Sequence, residues 1–214
     1  MCGRFADHVI WSLQWVEALG DWPEEITPSF NRAPTQSIAA FTPEGGRAMR
    51  WGLVPSWSKE PKTRYATFNA RAEDVAQKPA FRSAWKESRR CLVPVLGYYE
   101  WLRSGDRKQP YFIRDAGEDP LFLAGLWEQW QKDGQSLLSC TILTREAVPG
   151  VAHIHNRMPV VVAPERLGHW LSSSRESAHD IIRDDRSEHL FSYPVTTLVN
   201  NARNDDPRCI EPLA

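Results

Sequence analysis

The sequence predicts an α+β protein: a single domain over residues 1–214, with a largely antiparallel, barrel-like β-sheet core and peripheral helices. Three observations predict it. Short apolar runs follow one another through the middle of the chain, and turns such as SGDRK and KDGQ separate several of them as hairpins. Helical spacing of apolar residues is confined to a few segments, and no repeat, low-complexity tract or interdomain linker interrupts the succession.

The elements follow in order. Val9, Leu13 and Val16 lie at helical spacing between Asp7 and Leu19, and Gly20 ends that run, which predicts a first helix. Pro23, Pro28, Asn31 and Pro34 make 21–34 an extended loop. A strand at Ile38–Phe41 leads through the turn PEGG to a second at Ala48–Val54. The polar stretch from Pro55 to Asp74, with aromatics inserted, reads as the kind of loop on which a rigid scaffold carries a site. Pro79 opens a predicted helix to about Arg90. Phe81, Ala84 and Trp85 form its apolar stripe, and Arg82, Lys86, Arg89 and Arg90 lie on its remaining face. That basic face has the ordinary reading of a solvated surface. Strands are expected at Leu92–Trp101, Pro110–Ile113, Leu121–Trp127, Leu138–Thr144 and Pro159–Val162. A last helix at Pro164–Leu171 precedes a polar, charged stretch and a strand at Tyr193–Thr196.

Composition bounds the function. The 214 residues are 42% hydrophobic and 25% charged, with a net charge of −1, so any nucleic-acid footprint must be local rather than global. The N-terminus lacks the apolar core of a signal peptide, and no apolar run is long enough to span a bilayer; a cytoplasmic protein with no membrane partner is expected. The cysteines Cys2, Cys91, Cys140 and Cys209 show neither CxxC pairing nor zinc-site spacing, so no metal, cofactor or disulfide is expected. Cys91 and Cys140 sit in apolar runs and read as small buried hydrophobes. Most of the ten Trp residues read as packing, with some available to line a binding surface. Cys2 differs from the other thiols, because a chain terminus contributes little packing and is ordinarily exposed.

Removal of Met1 would give Cys2 a free α-amine beside its thiol. An α-amine has a pKa of about 7.7–8.0, so a nucleophilic fraction exists at neutral pH. Such a 1,2-aminothiol condenses with an aldehyde to a Schiff base, and the thiol then closes a thiazolidine ring on the same carbon. Three clusters add to this. In Phe68-Asn69-Ala70-Arg71-Ala72-Glu73 an extended backbone would point Asn69 and Arg71 to one side. In Gly97-Tyr98-Tyr99-Glu100-Trp101 a carboxylate ends an apolar run, where partial burial would raise its pKa and suit acid–base work. In Ile154-His155-Asn156-Arg157-Met158-Pro159 a histidine able to shuttle protons precedes a strand. Taken singly, each has an ordinary explanation as a turn, a surface Glu or a satisfied loop His.

Spaced blocks join these clusters: MCGRFA (1–6), FNRAPTQ (30–36), MRWGLVPSW (49–57), FNARAE (68–73), FRSAW (81–85), CLVPVLGYYEW (91–101), KQPYFI (108–113), FLAGLWE (122–128), ILTREA (142–147) and IHNRMPVVV (154–162). In these blocks and their order the chain resembles the SRAP family (SOS response-associated peptidase domains), whose members crosslink to abasic sites in single-stranded DNA. The resemblance implies the SRAP fold and Cys2 as covalent nucleophile, with Asn69 positioning its amine and Glu100 and His155 handling protons. It implies Arg4 and Arg71 on phosphates, Trp57 and Trp101 as stacking surfaces, and Asn31 and Thr144 in blocks that line the same cleft. Some relatives carry a second Trp directly after the position of Trp57, where this chain has Ser58. The partner implied is single-stranded DNA containing abasic sites, met by a monomer that associates with the nucleoid when bound. The alternatives are a thiol peptidase or autopeptidase using Cys2, an AP lyase acting through a Schiff base, and a noncatalytic DNA reader.

Overall fold

The computed structural model describes residues 2–9, 11–117, 119–172, 174–183 and 190–213. Its strands are β1 Phe5–Ala6, β2 Ser37–Thr42, β3 Gly45–Trp51, β4 Asn69–Arg71, β5 Arg90–Val95 and β6 Gly97–Ser104. They continue with β7 Arg107–Asp115, β8 Leu121–Lys132, β9 Gln135–Glu146, β10 Arg157–Pro159, β11 Val161–Val162 and β12 Leu190–Pro194. The helices are α1 Leu13–Leu19, α2 Arg82–Lys86, α3 Pro149–Ala152, α4 Leu167–Ser172 and α5 Arg175–Arg183. No described helix is long and apolar enough to cross a membrane.

Five strands close a ring in the order β9-β3-β2-β5-β8 and back to β9; all neighbours are antiparallel except β3 and β9. Alternation along these strands sorts the side chains. Ile38 and Ala40, Met49 and Trp51, Cys91 and Val93, Leu123, and Cys140 and Ile142 fill one cluster, to which all five strands contribute. Their neighbours Ala39, Phe41, Leu92, Phe122 and Leu143 face outward and are covered by apolar residues of α1, α2, α4 and α5. A second sheet, ordered β1-β6-β7-β12, lends Phe5, Tyr98 and Ile113 to the ring's cluster. Its other face packs Ala6, Tyr99 and Phe112 on Val195, Val199 and Cys209. The α+β architecture with a barrel-like, mostly antiparallel core is thus the observed one.

The differences from the expected elements have local causes. The run Leu92–Trp101 is two strands in two sheets: at Leu96 the backbone N–H leaves the ring and donates to Ala6 O at 2.8 Å. The first helix starts at Leu13, not Asp7, because the Asp7 carboxylate pairs with Arg32 at 3.0 Å and accepts the Ser29 N–H. The helix expected to reach Arg90 stops at Lys86, and Ser88 takes a left-handed φ of 54°. The basic face drawn on that helix therefore dissolves. Arg82 and Lys86 are exposed, Arg89 pairs with Glu87 and Glu128, and Arg90 is fully buried, donating to Trp170 O at 2.9 Å. Of the tryptophans, Trp15, Trp51, Trp85, Trp130 and Trp170 are buried. The four cysteines are free thiols, each buried.

Ring closure is tight at Gly125, between β5 and β9. A Cβ there would stand 2.8 Å from both Cys91 Sγ and Thr141 O. Gly125→Ala is expected to cost about 1–3 kcal/mol through overpacking, a fall in Tm of about 2–4 °C per kcal/mol in a domain of this size. Calorimetry of the variant checks this; an unchanged Tm would mean the ring relaxes freely.

Candidate active site and nucleic-acid interface

β1 brings the chain's start into the sheet. Phe5 lies opposite Tyr98 in antiparallel register, and the Tyr99 N–H donates to Arg4 O at 2.9 Å, so each residue toward the N-terminus advances one along β6 toward Glu100 and Trp101. Cys2 is consequently 0% exposed, packed with Phe5, Tyr98 and the ring's interior residues. This corrects the expectation that a second residue is unburied; strand pairing two residues downstream carries it inward. Met1, whose removal would free the Cys2 amine, lies outside the described residues.

Asn69 holds Cys2 directly: its Nδ2 donates to the Cys2 carbonyl at 2.7 Å, while its Oδ1 is buried with no hydrogen-bond partner among the described residues. β4 delivers Asn69 by pairing parallel with β9, Asn69 opposite Ile142 and Arg71 opposite Thr144. That β4 is extended sets Asn69 and Arg71 two residues apart on one side, Asn69 buried and Arg71 exposed. Both line a cleft of about 400 Å³ with Trp57, Tyr65 and Lys78. A neighbouring cleft of about 610 Å³ shares Trp57 and Tyr65 and adds Lys59, Lys62 and Arg64. Trp57 is 66% and Tyr65 83% exposed, unusual for aromatics unless they meet a partner. Ser58, where a second Trp was noted as absent, organises this loop instead: its Oγ donates to Glu60 O, and its carbonyl accepts from Trp130 Nε1 at 2.9 Å.

A third cleft, of about 420 Å³, is lined by Glu100, Trp101, Arg103, Lys108, His155 and Asn200. Burial pushes the Glu100 carboxyl above its usual range. Burial and the nearby Glu100 push the Cys2 thiol far up, so it stays protonated at neutral pH. Burial lowers His155, whose Nδ1 lies 3.0 Å from the backbone N–H of Arg157 that it accepts. Arg157 itself is fixed by a bidentate pair with Glu73 at 2.6 and 2.8 Å and by donating to Thr144 O at 2.7 Å. That clamp ties the His155 turn to the residues following β4. Trp101 is oriented by donating from Nε1 to Asn200 Oδ1 at 2.7 Å.

Of the residues singled out from the sequence, Cys2 and Asn69 touch, Glu100, Trp101 and His155 share one cleft, and Trp57 and Arg71 share another with Asn69. The remaining three support these from behind. Arg4 Nη1 donates to Asn31 Oδ1 at 2.9 Å and Val199 O at 2.8 Å. Buried Asn31 donates to Asn201 O and Asn204 O, and buried Thr144 donates to Ala70 O. Arg103, Lys108, Asn200, Tyr65 and Tyr98 were not foreseen. Arg103 and Lys108 face each other across the β6–β7 hairpin that also carries Glu100, so a basic pair astride the turn at Gly105 and Asp106 was the available signal.

The chain belongs to the SRAP family: the family model described as SOS response associated peptidase (SRAP) matches residues 1–202. It is 34% identical over 99% of both chains to the abasic site processing protein YoqW of Bacillus subtilis (strain 168). It is likewise 34% identical to the abasic site processing protein HMCES of Gallus gallus, over 77% of this chain and 56% of that one. Among solved structures it is similar to a protein from Bacteroides thetaiotaomicron, with a TM-score of 0.79 at 25% identity over 87% of this chain and 86% of that one. A protein from Bordetella bronchiseptica shares the fold, with a TM-score of 0.81 at 23% identity over 91% and 100%.

Because the Cys2 carbonyl is buried and its partner is Asn69, Asn69→Ala leaves that acceptor unsatisfied. A loss of about 1–3 kcal/mol is expected. Cys2→Ala, which empties a packed position, is expected to lower Tm measurably rather than leave it unmoved. Thermal denaturation of both variants checks this, and wild-type Tm for both would contradict the anchoring described.

Proposed function

We propose that this protein processes abasic sites in DNA by capturing them in single strands through Cys2 after loss of Met1. The observation that carries this reading is the setting of Cys2: held by its carbonyl on Asn69, which lines one cleft, and close enough to Glu100, which lines another with His155, to feel its charge. The names of its relatives support the substrate. The orphaned Oδ1 of Asn69 offers an acceptor to the freed α-amine, fixing its lone pair.

The steps follow from the groups present. The closed abasic sugar opens to its aldehyde when a proton reaches the ring oxygen, a task suited to His155, which becomes a stronger acid once protonated because burial lowers its pKa. The Cys2 amine adds to the carbonyl carbon, with its proton passing to Glu100. The carbinolamine then loses water, protonated by the same carboxyl. Finally the thiol adds to the imine carbon and closes the thiazolidine. A thiol protease would need Cys2 as thiolate; burial works against that, so the amine acts first and the thiol second. Arg71, Trp57 and Trp101 follow the strand by phosphate contact and stacking.

Intact-mass analysis of the Met1-free protein with abasic single-stranded DNA tests the reading. A heat-stable adduct of both masses less a water is expected. Nicked DNA without adduct would assign lyase action, and reversible binding alone would overturn capture.

Two further outcomes are expected. Glu100 works as a base only when ionised, and its pKa is raised, so single-turnover capture falls as pH drops through that raised value. Glu100→Gln removes that acid limb, leaves the limb of the α-amine near ~8, and slows capture by about 10²–10⁴-fold; an unchanged pH profile would exclude Glu100 as the base. Separately, Arg71→Ala is expected to reduce the salt dependence of single-strand binding by about one phosphate contact, a slope change of about 0.7, without altering Tm. Arg4→Ala lowers Tm as well, since Arg4 ties β1 to Val199. Equal salt slopes for Arg71→Ala and wild type would remove Arg71 from the DNA path.

A further inference from the structure

Tyr98 stands among the residues that surround Cys2, and its hydroxyl has no evident use in the free protein. The side chain is 0% exposed, and its hydroxyl has no hydrogen-bond partner among the described residues. A buried hydroxyl without a partner is destabilising, whereas Phe would fill the same volume with no such loss. The backbone fixes where it faces. Alternation along β6 sets Tyr98 and Glu100 on one side of the sheet and Tyr99 on the other, where Tyr99 packs on Val195 and Val199. Tyr98 lies opposite Phe5, shares the interior cluster with Cys2, and faces the residues at which β1 runs toward Glu100. The charges of Cys2 and Glu100 add to burial in raising its pKa, consistent with a phenol near both that stays neutral.

We infer that Tyr98 is a positioning residue for the last step of capture, its hydroxyl donating a hydrogen bond to the Cys2 sulfur as the thiazolidine ring closes. This rests on the reading of Cys2 as the capturing residue. In that step the S–H bond breaks and its proton goes to the Glu100 carboxylate. The sulfur lone pair forms the C–S bond to the iminium carbon, and the C=N π pair returns to nitrogen. Negative charge gathers on sulfur before the bond forms. Burial makes a bare thiolate costly there, so a neutral donor aimed at sulfur lowers that cost while leaving the earlier amine chemistry alone. The neutral thiol is a weak acceptor and the sulfur becomes a strong one only as charge gathers on it, which explains why the hydroxyl has no partner before.

The test uses Met1-free wild type and Tyr98→Phe with abasic single-stranded DNA, quenched with borohydride at intervals. Borohydride reduces the imine and leaves the closed thiazolidine untouched, so the reducible fraction of total adduct follows ring closure. In Tyr98→Phe, total adduct is expected to appear at the wild-type rate while the reducible fraction decays about three- to tenfold more slowly, the effect of one hydrogen bond. The variant's Tm is expected to equal or exceed that of wild type. Wild-type decay of the reducible fraction would overturn the inference, as would a Tm several degrees lower, which would mean the hydroxyl already has a partner in the free protein. Absence of any adduct in wild type would instead sink the capture reading itself, so the two failures are distinct.

Discussion

Strand β9 pairs with β8 along most of its length on one edge, and its other edge is divided. Ser139 and Cys140 take β3, then Ile142 to Thr144 take β4. On the β8 edge, beyond the end of that pairing, Thr144 to Glu146 take β10. The handover from β3 to β4 is the constraint on which the site depends. It closes the five-strand ring, and in the next turn of backbone it docks Asn69 where its amide reaches the Cys2 carbonyl. At Thr144 the geometry converges: the carbonyl accepts from Ala72 N and from Arg157 Nη2, while the Cα pairs with both Arg71 and Pro159. One residue of a rigid strand therefore sets the separation between Asn69 and the His155 turn. Catalytic geometry tolerates little misplacement, and a side chain on a strand is held better than one on a loop.

The parts of this arrangement that sequence could supply are those encoded by local period and turn chemistry. Ring strands with alternating or continuous apolar residues stood out, as did the hairpin turns and the extended pairing of Asn69 with Arg71. What stayed hidden depends on long-range contacts. Nothing in MCGRFA says that Phe5 will pair with Tyr98, yet that pairing buries Cys2. Arg90 looked like one more surface arginine because the helical period was extended past Ser88; its guanidinium lies under Trp170, 5.5 Å from the ring centroid. Arg4 and Asn31 drew notice as motif residues, and local sequence could not reveal that they have partners some 170–195 positions on, at Val199 and Asn201. Tyr98 was read only as part of an apolar run, because a hydroxyl's lack of partners is a property of the folded surroundings.

Burial around Cys2 has two opposed consequences, and together they order the chemistry. Taking the thiol out of water keeps it protonated and so protects it from oxidation and from stray electrophiles, which need the thiolate. The same burial makes the thiol a poor first nucleophile. An α-amine freed by loss of Met1 is under no such penalty for acting first, because its nucleophilic form is the neutral one. On the proposed reading, the pocket thus suppresses the sulfur and leaves the nitrogen to act until a carbon electrophile is fixed beside both. In the proposed capture the positive charge of an iminium offsets the cost of the forming thiolate, and ring closure is local, between atoms already held on one residue. For the proposed capture, the sulfur's failure as a free nucleophile is a condition of its acting second: a reactive thiolate at this position would be spent on other electrophiles before an aldehyde reached it.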